Sequence, residues 1–286
     1  MGKLKPTNDF LFKKLFGERK NADLLKDLLQ AILTDIKIDK VRINKDVSLE
    51  RKLISEKLGI LDIVATLNDS TRVNIEMQVK DYYNTIDRSV FYGTGIYHEN
   101  LIAGEDYVEM PKSISIWITD YDVFEEGPFH ERARLKRDYE NIVLTDKLEI
   151  HYIQLTKFKE KCKRISNKLE QWLTFIKNEN VEEIRMIDNK LVQKAEDEFE
   201  YLTGDAETRR LAELREKAIR DEAAGLKSAR RKGIEEGIQQ GIEQGIEQGI
   251  EKNKIEIAKK MLAEKIDIEL IMKITELTKE EIEKLK

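Results

Sequence analysis

Gly59-Ile-Leu-Asp-Ile-Val-Ala-Thr-Leu67 and Arg72-Val-Asn-Ile-Glu-Met-Gln-Val79 lie on either side of the cluster Asn68-Asp-Ser70. Two β-rich runs around a turn-forming cluster predict a hairpin. If the cluster is a three-residue loop, Leu67 pairs with Thr71, paired positions sum to 138, and Asp62 lies opposite Glu76. Side chains alternate faces along a strand, so Asp62, Glu76 and Gln78 share one face. Leu61, Ile63, Ala65, Val73, Ile75, Met77 and Val79 make the other face continuously apolar.

Working outward, Phe10, Phe12, Leu15 and Phe16, then Leu24 to Leu33, follow helical spacing. Val41 to Leu49 reads as a strand, Thr85 to Leu101 as a helix interrupted by Gly93 and Gly95. Lys112 to Ile118 and Leu148 to Leu155 read as further strands. Strands and helices in this order predict a mixed α/β domain over residues 1–160. A charged helical region then follows over 161–232. All aromatics lie at or before Tyr201, so the C-terminal part is expected to be elongated helix rather than a large core.

Two carboxylates brought together repel unless a cation lies between them. Oxygen ligands favour Mg²⁺ or Mn²⁺, an ion able to activate a water and neutralise charge on a phosphodiester. The competing reading is an ordinary amphipathic hairpin with a solvated polar face. The apolar surroundings of Glu76 weigh against it, as do Arg88 and Tyr92, an (i, i+4) pair on the next helix suited to orient a carboxylate or hold a phosphate.

Thr7-Asn-Asp-Phe-Leu-Phe-Lys-Lys-Leu-Phe-Gly17, Gly59-Ile-Leu-Asp-Ile63, Asn74-Ile-Glu-Met-Gln78 and Arg88-Ser-Val-Phe-Tyr92 together resemble the Rpn family. These are recombination-promoting nucleases, often labelled transposases, of the PD-(D/E)XK superfamily. The resemblance runs over residues 5–250. It implies a restriction-endonuclease-like core, a mixed sheet flanked by helices, followed by an all-helical C-terminal region. It also implies that Asp62 is the metal-binding acid of the PD motif and Glu76 the acid of the (D/E)XK motif. The expected activity is Mg²⁺-dependent DNA endonuclease, linked to DNA recombination, mobility or defence against foreign DNA. Asp62, Glu76 and the Met77 carbonyl would hold the ion, and Gln78 would orient the water.

Two departures stand out. Ile60-Leu61 replaces the proline before the acid, a change of little consequence. Gln78 replaces the usual lysine, exchanging a positive charge for a neutral hydrogen-bonding group. Gln also occurs in this family, so the change points to weaker activity rather than none. Lys80, two residues on, is a candidate substitute. Asp9 with Lys13 is either a further acid near the site or a surface ion pair, and Glu56 is a weaker candidate for the same role. The alternative function is a catalytically weak DNA-binding or oligomeric scaffold protein.

Charged residues make up 37% of the 286-residue chain, against a typical ~25%. No run approaches the ~18 apolar residues of a spanning helix, and no apolar signal core follows Met1 to Pro6. A cytoplasmic protein without membrane association is therefore expected. The single cysteine, Cys162, excludes an internal disulfide, and His98, His130 and His151 lack ligand spacing. Phosphate contacts would come from local cations: Arg132, Arg134, Lys136 and Arg137 in one segment, Arg230, Arg231 and Lys232 in another. Both also read as solvated faces.

Residues 233–252 repeat Gly-Ile-Glu/Gln-Glu/Gln, with five glutamates and no cation before Lys252. Removing those five glutamates from the net −5 chain leaves 51 charges of each sign, so its acidity belongs to the repeat. Five helical glycines would cost roughly 5 kcal/mol, an expense that close helix–helix contact would offset. A homo-oligomeric stalk is the preferred reading, and a flexible spacer the alternative. Residues 253–286 resemble a small helix-turn-helix-like or oligomerisation module, and Thr278-Lys-Glu-Glu281 matches a capping box.

Overall fold

A computed structural model describes residues 4–44, 63–99, 106–161, 165–178 and 180–285. The hairpin forms as expected. Strand β2 (Ile63–Leu67) runs antiparallel to β3 (Thr71–Gln78), pairing Leu67 with Thr71 and Ile63 with Ile75. Asn68 and Asp69 close it with φ of 49° and 63°, left-handed values that these short polar residues tolerate.

The hairpin lies inside a six-stranded mixed sheet of order β1-β2-β3-β4-β6-β5. Strand β1 (Val41–Asn44) edges it beyond β2. Residues 45–49, the rest of the segment read as one strand, lie outside the described residues. Strands β4 (Ser113–Thr119) and β6 (Leu148–Gln154) continue it in parallel from β3. The far edge is β5 (His130–Arg134), antiparallel to β6.

Opposite faces of β3 enter two different cores. Val73, Ile75 and Met77 join the main core with helices α1 (Asp9–Phe16) and α2 (Ala22–Ile32). On the other face, Val64, Trp117, Ile150 and Tyr152 pack under Tyr92 and Ile96 of α3 (Thr85–Glu99). This helix is continuous through both glycines. A Cβ on Gly93 would meet Ser115 Cβ at 3.6 Å and side-chain atoms of Ile150 and Leu148 at 3.7 Å, so the helix rests closely on β4 and β6 there.

Helix α4 (Leu155–Lys161) follows β6, and the main core then continues past residue 160. Trp172, Leu173, Phe175 and Ile176 of α5 (Lys168–Lys177) are fully buried in it, close to α2. After α6 (Val181–Arg185), Phe199 and Leu202 of α7 (Lys190–Gly204) enter the same core, as does Ala212. The first compact unit reaches Asp221. Charge on the outer faces of these helices conceals an apolar stripe on the inner ones.

The second unit is Glu222–Lys286. Helix α8 (Ala206–Ala263) contains the whole repeat in α-helical conformation. Along it Ile234, Ile238, Ile242, Ile246 and Ile250 are 52–58% exposed, and a Cβ on any of the five repeat glycines would meet only open space. Beyond it, α9 (Ile268–Thr275) and α10 (Lys279–Glu283) bury Ala258, Ile271, Leu277 and Ile282 in a small core of their own. The capping box forms: the Glu281 amide donates to Thr278 Oγ1 at 3.3 Å, and the Thr278 amide to Glu281 Oε2 at 2.8 Å.

Candidate active site

The polar face of the hairpin is not solvated. Asn74 and Glu76 are 0% and 1% exposed, enclosed on the face that α3 covers. Burying a carboxylate costs several kcal/mol unless charge or hydrogen bonds compensate it. Among the described residues neither atom of the Asn74 side-chain amide has a hydrogen-bond partner. An orphaned buried amide two residues from a buried carboxylate fits a site that takes up a hydrated cation, one of whose waters could satisfy the amide.

Gln78, at the open end of the strand, is partly exposed. Its Oε1 accepts from Arg88 Nη1 at 3.5 Å, and Arg88 Nη2 donates to the Tyr92 hydroxyl at 3.5 Å. The guanidinium carbon lies 5.5 Å from the Tyr92 ring centre and 5.4 Å from that of Trp117. Those rings stack at 5.8 Å, and Trp117 Nε1 donates to Ser115 Oγ at 2.9 Å. Cation–π attraction, worth more than ~1 kcal/mol where desolvated, holds the Arg88 charge beside Gln78. Below it, Ser89 and Tyr152 share a hydroxyl hydrogen bond that ties α3 to β6. Burial raises the Tyr152 phenol above its usual pKa, against the lowering effect of Ser89.

The remaining sequence candidates are distributed differently. Asp62 and Glu56 lie outside the described residues. Met77 buries its side chain in the main core, on the sheet face opposite Glu76. Lys80 is exposed beyond the end of β3. Asp9 pairs with Arg215 rather than Lys13, its Oδ2 accepting from Nε at 2.8 Å, and α1 packs on the opposite face of the sheet from Glu76. Arg132 and Arg134 belong to edge strand β5, with Arg132 engaged by Asp35. Lys136 bridges to Val143, and Arg137 is exposed. Arg230, Arg231 and Lys232 are exposed on α8, Arg231 lying 3.8 Å from Glu235. Among the described residues no three His, Cys, Asp or Glu side chains form a group able to hold a metal.

Residues 6–229 match the family described as PD-(D/E)XK nuclease family transposase. The chain belongs to that family. Residues 251–286 match the C-terminal helix-turn-helix domain of the Rpn/YhgA-like nuclease family, which covers the small core built by α9, α10 and the end of α8. No curated protein and no solved structure matches the chain. The Glu76-Met77-Gln78 segment lies on β3, on the sheet face roofed by α3. No described helix is long and apolar enough to cross a membrane.

What sequence reading missed is a second polar cluster. His130 and His151, 21 positions apart, meet through β5–β6 pairing, His130 Nε2 lying 3.0 Å from His151 Nδ1. Only knowledge that those two segments pair would have revealed it.

Proposed function

We propose that this chain is a divalent-metal-dependent DNA endonuclease in which Asp62 and Glu76 hold Mg²⁺ or Mn²⁺. The observation that carries the reading is the buried carboxylate of Glu76 beside a guanidinium-bound Gln78, in a chain of PD-(D/E)XK family. The ion, when bound, would supply a low-pKa water and charge neutralisation at phosphorus. The chain's own residues do the rest. Gln78, its carbonyl engaged by Arg88, turns its amide donors toward the attacking water or a phosphate oxygen. Arg88 contributes the positive charge absent from position 78, and Tyr92 and Trp117 position that charge. The Met77 carbonyl is a third candidate ligand.

DNA is the proposed partner of both the nuclease domain and the helix-turn-helix module, with roles in recombination, mobility or defence. Arg134, Lys136, Arg137 and the Arg230–Lys232 cluster are the proposed phosphate contacts. The exposed isoleucine stripe supports self-association through the repeat, since five half-exposed isoleucines on one helix favour a partner surface. The second reading, a weakly catalytic scaffold, is favoured by Gln78 alone.

A plasmid-nicking assay with and without Mg²⁺, on wild type, Asp62→Ala and Glu76→Ala, tests the proposal. Metal-dependent nicking by wild type and its loss in both variants is expected. Equal nicking by all three proteins would refute it, and no nicking by any would favour the scaffold.

A further inference from the structure

On the sheet face opposite Glu76, β6 carries Glu149 and His151, each 3% exposed. Lys112 precedes β4, β5 adds His130 and Arg132, and the segment after α2 brings Asp35 across from them. These six side chains line a cavity of about 130 Å³. At ~30 Å³ per water that is room for about four waters, and it falls below the ~300 Å³ of a typical drug-sized ligand site.

The charges alternate. Lys112 Nζ lies 3.1 Å from Glu149 Oε2, and Arg132 pairs with Asp35. The Arg132–Asp35 hydrogen bond lowers the Asp35 pKa and raises that of Arg132, with smaller contributions in the same directions from Lys112 and Glu149. Burial would lift the Glu149 carboxyl, but His151 and Lys112 outweigh it and keep it ionised. His130 is driven down to about 4 by burial, then by His151 and Arg132, so it is neutral at pH 7. The lining thus holds two fixed cations and two fixed anions.

His130 Nε2 and His151 Nδ1 share a hydrogen bond whose direction depends on the ring tautomers, and His151 Nε2 faces Glu149 Oε2 at 3.6 Å. Even so, His151 Nε2 makes no hydrogen bond, an unpartnered polar atom on a deeply buried side chain.

We infer that this cavity binds a small zwitterion, a molecule with an ammonium and a carboxylate group on a short skeleton. A lone anion would add a third negative charge beside Glu149 and Asp35. A lone cation would add a third positive charge beside Lys112 and Arg132. A zwitterion adds no net charge and exchanges partners: its carboxylate takes Lys112 and Arg132, its ammonium Glu149 and Asp35. Short amino acids have both the charges and the size.

Titration of the full chain, labelled at histidine, with glycine and serine and in parallel with acetate, methylammonium and inorganic phosphate tests the inference. Saturable movement of the His130 and His151 ring resonances is expected with glycine or serine, with affinity at least about tenfold above acetate or methylammonium. Asp35→Asn, at a rim position whose side chain is 63% exposed, should weaken glycine about tenfold without unfolding the chain. Acetate or phosphate binding as tightly as glycine would overturn the inference and mark an anion site. Absence of saturable movement with either amino acid in the millimolar range would overturn it equally.

Discussion

Arg88, on α3, donates to the side-chain carbonyl of Gln78, on β3, at 3.5 Å. Gln78, which under the proposed function stands where the superfamily motif has lysine, is therefore tied to a cation from a neighbouring element, and a lysine at position 78 would face that cation directly. Relocated charge makes a specific prediction. Arg88→Gln should slow nicking about 10²-fold, the usual scale for loss of one preorganised donor. Gln78→Lys alone should not exceed wild type, because two like charges would be crowded together. The double variant should recover most of the rate. Nicking rates of all four proteins check this, and a double variant as slow as the product of the single losses would dismiss the compensation.

Glu76→Gln keeps the size of a buried side chain and removes its charge. Its metal-free stability should stay within about 1 kcal/mol of wild type, within the ordinary range of point substitutions. Wild type should gain about 2.7 kcal/mol from Mn²⁺ at a hundredfold excess over Kd, and the variant should gain almost none. Thermal unfolding with and without Mn²⁺ reads both quantities. Retention of the full shift by Glu76→Gln would move the metal elsewhere.

The hairpin register was legible because it depends on local chemistry: Asn68 and Asp69 accept positive φ, and the apolar alternation allows only one slip position. The covering of its polar face was legible only in outline. The apolar surroundings of Glu76 weigh against a solvated face, but which element covers Asn74 and Glu76 is set by α3, where Gly93 approaches Ser115. Strand β5 escaped notice for a related reason: His130-Glu-Arg-Ala-Arg134 has no β-branched residue and owes its conformation to pairing with β6. The His130–His151 contact inherits that dependence. The helices after residue 160 were read by their charge, whereas Trp172, Phe175 and Phe199 had already signalled a buried face.

The close approach at Gly93 can be tested directly. A methyl group there would make ordinary contacts at 3.6–3.7 Å, so Gly93→Ala should stabilise by up to about 1 kcal/mol through helix propensity. Gly93→Leu has no room and should force α3 off β4 and β6, carrying Arg88 away from Gln78. Urea unfolding and nicking should therefore separate the two: alanine active, leucine destabilised and inactive. An active, stable leucine variant would contradict the packing.

The repeat presents a contest of opposite signs. In an isolated helix, replacing Gly233, Gly237, Gly241, Gly245 and Gly249 by alanine meets no obstruction and should add roughly 5 kcal/mol of helix propensity. In a self-associated stalk the glycines permit close backbone approach, and five methyl groups would hold the partner helix away. Sedimentation of the five-alanine variant should show a smaller species than wild type while helicity is retained or increased. Identical sedimentation would remove the repeat from the assembly.

His130 supplies a pH prediction whose sign is determinate. Burial, then His151, then Arg132 lower it from 6.5 in the unfolded chain to about 4 in the folded one. Between those values the unfolded state binds more protons, so stability rises with pH. The contribution is complete above about pH 6.5 and is lost as pH falls toward 4, a span of order 3 kcal/mol at 1.36 kcal/mol per unit. Carboxylates elsewhere also titrate on the acid side, so only the difference from a non-titrating variant is diagnostic. His130→Gln should lower stability less steeply than wild type from pH 6.5 to 4.5, whatever its stability at pH 7. Urea midpoints at the two pH values give that difference, and parallel losses in both proteins would show that His130 is not held neutral by its surroundings.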